Sequence, residues 1–211
     1  MQKQTISTVA IVSIAGYIGA QILADVGSLK IAAISLPFLG TLAIDGGTFI
    51  YPFTFTLRDM IHKNLGKSVA QKVILIAASI NLIMACFFAF LVWLPADNSW
   101  PLQSQFADVL GPLWQIVFAS IIAEVISELI DTESYSFFVN KITTKYQWMR
   151  VLFSNSTSIP IDSIIFAFIA FYGQLPITVI WSIVLTNILV KGVITLVSLP
   201  SIYLVKEKNI D

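Results

Sequence analysis

Apolar residues run along this chain in blocks of roughly twenty, separated by short polar turns, a pattern that predicts membrane-spanning helices. The first predicted helix covers about 6–26, with Gly16, Ala20 and Ala24 recurring every fourth residue. Small residues at that spacing let another helix approach closely; internal packing is the plainer reading, beside a homodimer or partner-subunit contact. Residues 31–44 are apolar but short for a span, and Pro37 and Gly40 interrupt them. They read as an apolar segment lying at or dipping into the outer face, with a seventh helix as the alternative. The second helix covers about 46–63, opening at Gly46-Gly47 and holding Pro52. The third covers about 70–94, the fourth 111–140, the fifth 155–173 and the sixth 177–205.

The fourth helix departs from a lipid-compatible pattern. Glu124, Glu128 and Asp131 are spaced four and then three apart, with Ser127 between them. On a helix this puts all three carboxylates on one face. A carboxylate at the membrane centre costs at least ~2.5 kcal/mol on insertion scales. The stripe therefore has to line a protein interior or a wet cavity. Helix midpoints put Glu128 near mid-membrane, with Asp162 at the same level on the fifth helix and Lys191 on the sixth. Asn155 and Ser158 share a face with Asp162, Asn187 and Thr195 flank Lys191 by one turn each, and Asn81 is central on the third helix. One acid and one base would suffice for a structural ion pair. Here the acids outnumber the single central base, which points to a polar cavity with a cationic ligand or protonatable groups. A midplane site on facing helices is where transporters bind substrate.

Charge placement sets the expected orientation. Basic residues cluster at 62–72, 141–150 and 206–208, whereas 95–112 and 174–176 contain no Lys or Arg. The positive-inside rule makes the basic clusters cytoplasmic. Six transmembrane helices with the N- and C-termini cytoplasmic satisfy this, as does Lys3.

Composition agrees. The 211 residues are 57% hydrophobic and 11% charged, with mean hydropathy +0.86, whereas soluble domains carry about 25% charged residues. The fold class is an all-α polytopic membrane protein, one transmembrane domain over 1–211, in the cell (inner) membrane. The N-terminal apolar run reads as a retained helix, since no clear small-residue cleavage site follows it. A formal net charge of zero gives no case for nucleic acid as a partner. The single cysteine, Cys86, excludes an internal disulfide and a CxxC metal site. There is no HExxH, GxSxG or Gly-rich phosphate loop, so the chain reads as a non-enzyme with no cofactor and no metal site. An intramembrane enzyme using the acidic stripe and a proton or cation channel are the rival classes.

Four segments carry a family resemblance. GGTFIYPFTFTLRDMIHKNLG (46–66), SELID (127–131), Arg150 followed by Ser154, Asn155 and Asp162, and Lys191 with Pro200 occur in order along the chain. Together they resemble the queuosine precursor transporters, once called vitamin uptake transporter-like proteins. The resemblance implies a six-helix importer of 7-deazaguanines such as preQ0, preQ1 or queuine. It also implies a likeness to the substrate-binding subunits of energy-coupling-factor transporters, which work with a separate ATPase module. The chain differs from the family pattern at Asn155, where Thr is usual, at Ile159, where a polar residue is common, and in the extra acid Glu124. The residues nominated for substrate binding are Glu128, Asp131, Asp162, Lys191, Asn155, Tyr51, Phe55 and Asn81. Asp59, Glu124 and Arg150 are nominated for coupling or gating. The small-molecule substrate and the lipid bilayer are the expected partners. Glu where Gln is common in SELID tilts the expected ligand towards preQ1, whose aminomethyl group is cationic, over the nitrile preQ0.

A cytoplasmic N-terminus has a direct check. A cysteine at Gln4, in a version with Cys86 replaced, should resist an impermeant thiol reagent in intact cells. Ready labelling would instead favour seven spans.

Overall fold

The computed structural model describes residues 8–37, 40–142 and 147–198. Helix α1 spans Thr8–Gly27, strands β1 and β2 span Ile31–Leu36 and Gly40–Asp45, and a 3-10 turn covers Gly46–Phe49. Six further helices follow: α2 (Pro52–Leu65), α3 (Lys67–Trp93), α4 (Gln103–Leu110), α5 (Leu113–Lys141), α6 (Gln147–Phe171) and α7 (Ile177–Ser198). The predicted signals at Lys3, Lys145, Pro200, Lys206 and Lys208, and both termini, lie outside the described residues.

Among the described residues, five helical stretches are long and apolar enough to cross a membrane: Thr8–Gly27, Ser68–Trp93, Gln103–Asp131, Val151–Phe171 and Ile177–Val197. Their outward faces carry exposed Val12, Leu75, Ile83, Leu129, Val193 and Val197. Such faces suit lipid, where backbone groups are satisfied within the helix. The predicted second helix is shorter than a span. The 14 residues of α2 reach about 21 Å, against a hydrocarbon core of about 30 Å. It runs antiparallel to α1, with Gly46 beside Gly27 at one end and Ile61 clustered with Tyr17 at the other.

Residues 31–45 are neither a helix nor a shapeless segment. They form an antiparallel hairpin with register Ile31↔Asp45 through Leu36↔Gly40, a departure from the all-helical expectation. Gly40 takes φ +74° at the reversal, a conformation that favours glycine. A lone two-stranded hairpin is marginal, and an open edge is costly where water is scarce. Helix α7 covers that edge: Ser182 Oγ accepts from Ala43 N at 2.7 Å, and Thr186 Oγ1 donates to Ala43 O at 2.9 Å. Two other boundaries move. Helix α6 begins at Gln147 rather than 155 and continues through Pro160, and the loop at 95–112 contains α4.

The main core lies where α5, α6 and α7 meet. Ala119, Ala123, Ala167 and Ala170 are fully buried there, interleaved with Ile116, Phe166, Ile180 and Ile183. Small residues at these positions bring the backbones together. The ladder on α1 packs internally: Ala20 and Ala24 are buried, and Gly16 faces Leu57 of α2.

The 3-10 turn is pressed onto the end of α1. A Cβ at Gly46 would strike the Gly27 carbonyl, and one at Gly47 would strike the Ala24 carbonyl and Ser28 Oγ. Backbone atoms cannot yield as a flexible side chain can. Gly47→Ala should therefore cost about 1–3 kcal/mol, the usual range for overpacking, and lower the thermal midpoint of the purified protein. Gly19→Ala is the contrast, because its Cβ would meet nothing within 4 Å and alanine favours a helix by roughly 0.5–1 kcal/mol. Equal midpoints for the two variants would contradict the close approach.

Candidate functional site

Two cavities meet at Asp162. The first lies between α1, the 3-10 turn, the start of α2, α5, α6 and α7. Asp25, Asp45, Asp162 and Lys191 line it, with Thr48, Tyr51, Ser120 and Asn187. The second, about 240 Å³, lies further along α5 and α6, away from the hairpin, and is lined by Phe55, Arg58, Ser127, Asp131, Asn155, Ser158, Ile159 and Asp162.

An ion pair sits at the junction. Lys191 Nζ donates to Asp162 Oδ2 at 2.5 Å, with both side chains almost fully buried. The ammonium also lies 4.8 Å from the centre of the Tyr51 ring, within cation–π range. Ser127 Oγ donates to the other oxygen, Asp162 Oδ1, at 3.3 Å. Removing one partner of a buried pair strands the other charge, typically at a cost of about 3–5 kcal/mol.

Asp45 is held at the hairpin end. Its Oδ1 accepts from Ser28 Oγ at 2.8 Å and from Thr48 N at 3.1 Å, which makes it the cap of the 3-10 turn. Thr48 Oγ1 lies 2.7 Å from Asp45 Oδ2 and 2.5 Å from Asn187 Oδ1, linking the turn to α7. Asp25 Oδ2 accepts from Asn81 Nδ2 at 2.8 Å, which ties α1 to α3. Glu124 Oε1 accepts from Tyr17 Oη at 2.6 Å and Gln21 Nε2 at 3.0 Å, and Gln21 also donates to Tyr17 Oη at 2.9 Å. Outside the membrane helices, Asp97 accepts from the Ser99 hydroxyl and N–H, which hold its carboxyl below the usual range.

The predicted residues divide among these places. Asp162 and Lys191 come together as their shared depth required, and Tyr51 joins them. Asp131, Asn155 and Phe55 belong to the second cavity, where Ser158 Oγ donates to Asp131 Oδ1 at 3.3 Å. Arg58 lies over the Phe55 ring at 5.5 Å. Asn81 meets Asp25 rather than the ion pair, and Glu124 turns towards α1. The side chains of Glu128, Asp59 and Arg150 lie outside the described residues. Sequence reasoning passed over Asp25, Asp45, Thr48, Tyr17 and Gln21. One signal was available: Asp25 and Gln21 are polar residues inside an apolar helix, where burial demands a partner.

A family model described as "Putative vitamin uptake transporter" matches residues 45–205. A protein of Bacillus subtilis (strain 168) named "Probable queuosine precursor transporter" is 25% identical over 163 residues, covering 76% of this chain and 71% of that protein. No solved structure matches. The match at 45–205 takes in α2 to α7, and with them the ion pair, the second cavity and the wall of the first apart from Ala24, Asp25 and Ser28. With five apolar helices long enough to span, the chain is a multi-pass protein of the cell membrane and belongs to the vitamin uptake transporter family.

Proposed function

We propose that this chain imports a queuosine precursor of the 7-deazaguanine class, bound beside the Asp162–Lys191 pair. The observation that carries the reading is a buried acid and base side by side on the wall of a cavity between the helices. A deazaguanine presents N1–H and an exocyclic NH2 together, a donor edge that one carboxylate can accept. Its O6 accepts from an ammonium, and its flat ring suits the face of Tyr51. Buried polar groups that need a ligand to satisfy them discriminate strongly, because a wrong ligand leaves them unpaired. The name of the Bacillus subtilis relative supports the same substrate class.

In this reading the protein makes six crossings. The hairpin and 3-10 turn complete the short crossing that α2 begins, and both termini are cytoplasmic. The first cavity then lies towards the outside and the second towards the cytoplasm, with the ion pair between them. Asp131 and Asn155 receive the substrate on the inner side, Glu128 is a further substrate-binding residue, and Asp59, Glu124 and Arg150 take part in gating.

The test is uptake in cells that lack both precursor synthesis and their own importer, read as queuosine in tRNA. Asp162→Asn, Lys191→Met and Glu128→Gln should each lower uptake tenfold or more while the protein stays in the membrane. The double variant Asp162→Asn/Lys191→Met leaves no stranded charge, so its level in the membrane should match wild type while uptake stays lost. Normal transport by all of these variants would put the site elsewhere. Uptake that appears only with an added ATPase module would favour the rival reading, a substrate-binding subunit of an energy-coupling-factor transporter.

A further inference from the structure

We propose that Asp25, Asp45 and Asn187 form a subsite for a protonated amine carried by the ligand, at the hairpin end of the first cavity. The proposal rests on the importer reading and deepens it. Asp25 and Asp45 are 2% and 1% exposed. Their hydrogen-bond partners are neutral: Asn81 and Ser120 on Asp25, and Ser28 and Thr48 on Asp45. Neutral donors satisfy lone pairs without cancelling charge, and a buried carboxylate remains costly until a cation or a proton joins it. Lys191, the cation lining this cavity, is already engaged with Asp162. Of the other groups nearby, Tyr17 and Tyr51 are neutral phenols, and Glu124 accepts from Tyr17 and Gln21.

Asn187 is an independent observation at the same place. It is 1% exposed, lines the cavity, and among the described residues its Nδ2 has no partner. Thr48 Oγ1 sits within hydrogen-bond distance of both Asp45 Oδ2 and Asn187 Oδ1. A hydroxyl has one proton and cannot give it to both oxygens. With Asp45 ionised, Thr48 donates to Asp45, and the amide satisfies the chain only when turned so that Nδ2 donates to Thr48; the hydrogen-bond network decides such assignments. The turn carries Asn187 Oδ1 to the unpartnered position. The hairpin end of the cavity then offers two carboxylates and one amide oxygen, three acceptors with no cation among them. An alkylammonium has three N–H donors and no acceptor. The neutral nitrile of preQ0 offers this subsite nothing, whereas the aminomethyl group of preQ1 matches it. The charge preference thus comes from α1 and the hairpin rather than from the acidic stripe on α5.

The test is calorimetric binding of preQ1 and preQ0 to the full chain in lipid nanodiscs. Wild type should bind preQ1 at least tenfold more tightly. Asp25→Asn and Asp45→Asn should each shrink that preference to threefold or less, mainly by weakening preQ1. Asn187→Asp adds a carboxylate at the same point and should widen it, which keeps the test decisive should either aspartate variant fail to fold. Equal loss of both ligands in the aspartate variants, with no widening in Asn187→Asp, would overturn the subsite and leave the importer reading standing. Binding of neither ligand by wild type would overturn the importer reading instead. The subsite is then read with ethylammonium and sodium chloride in thermal unfolding. Stabilisation of wild type but not Asp25→Asn by ethylammonium supports it. Stabilisation by sodium alone, or by neither, overturns it.

Discussion

A charge buried between membrane helices is costly unless another charge answers it, and the Asp162–Lys191 pair is where this fold supplies that answer. The two residues come from α6 and α7, Ser127 reaches the pair from α5, and Tyr51 covers the ammonium from the entrance to α2. Four elements are thereby fixed to one point. The surrounding contacts are mostly alanine against aliphatic or aromatic side chains, which set distance between helices but tolerate sliding. The ion pair supplies the register that such packing lacks, since a one-residue shift of either helix would rotate a charge out of reach.

The hairpin answers a second form of the same requirement. Backbone polar groups at membrane depth need partners as much as side chains do. Strand β2 finds them in β1 on one side and in Ser182 and Thr186 of α7 on the other. That arrangement delivers Asp45 to the cavity wall, where it caps the turn leading into α2. Gly46 and Gly47 then let the turn lie directly on the end of α1. Asp25 and Asp45 come to line the same cavity because two stretches of backbone touch without intervening side chains.

The sequence announced five apolar helices because lipid exposure imposes long apolar runs, whereas depth alone put Glu128, Asp162 and Lys191 at one level without saying which acid would meet the ammonium. The hairpin was not legible, because a short apolar run bounded by Pro and Gly has no period that separates strand from re-entrant segment. The acidic stripe was legible as a face but not as a site. From Glu124 to Asp131 the helix rises about 10 Å, so residues on one face reach different neighbours: Tyr17 and Gln21 on α1 near one end, Ser158 on α6 at the other. Asp45 was hidden for a different reason. An Asp before Gly-Gly reads as a turn signal, and nothing in its local sequence says that the turn is folded inwards.

The position of the ion pair between two cavities bears on how a carrier could use it. On the importer reading, a path from one cavity to the other opens as Asp162 parts from Lys191, and a bare separation in a buried site strands two charges. On the importer reading, the substrate removes that obstacle by replacing each partner for the other. Its donor edge takes the carboxylate while its carbonyl takes the ammonium, so the pair can part without either charge losing its complement. A ligand with only one of these groups would leave the opposite charge unanswered. Selectivity and gating would then have one origin, because the molecule able to open the path is the one that satisfies both halves of the pair at once.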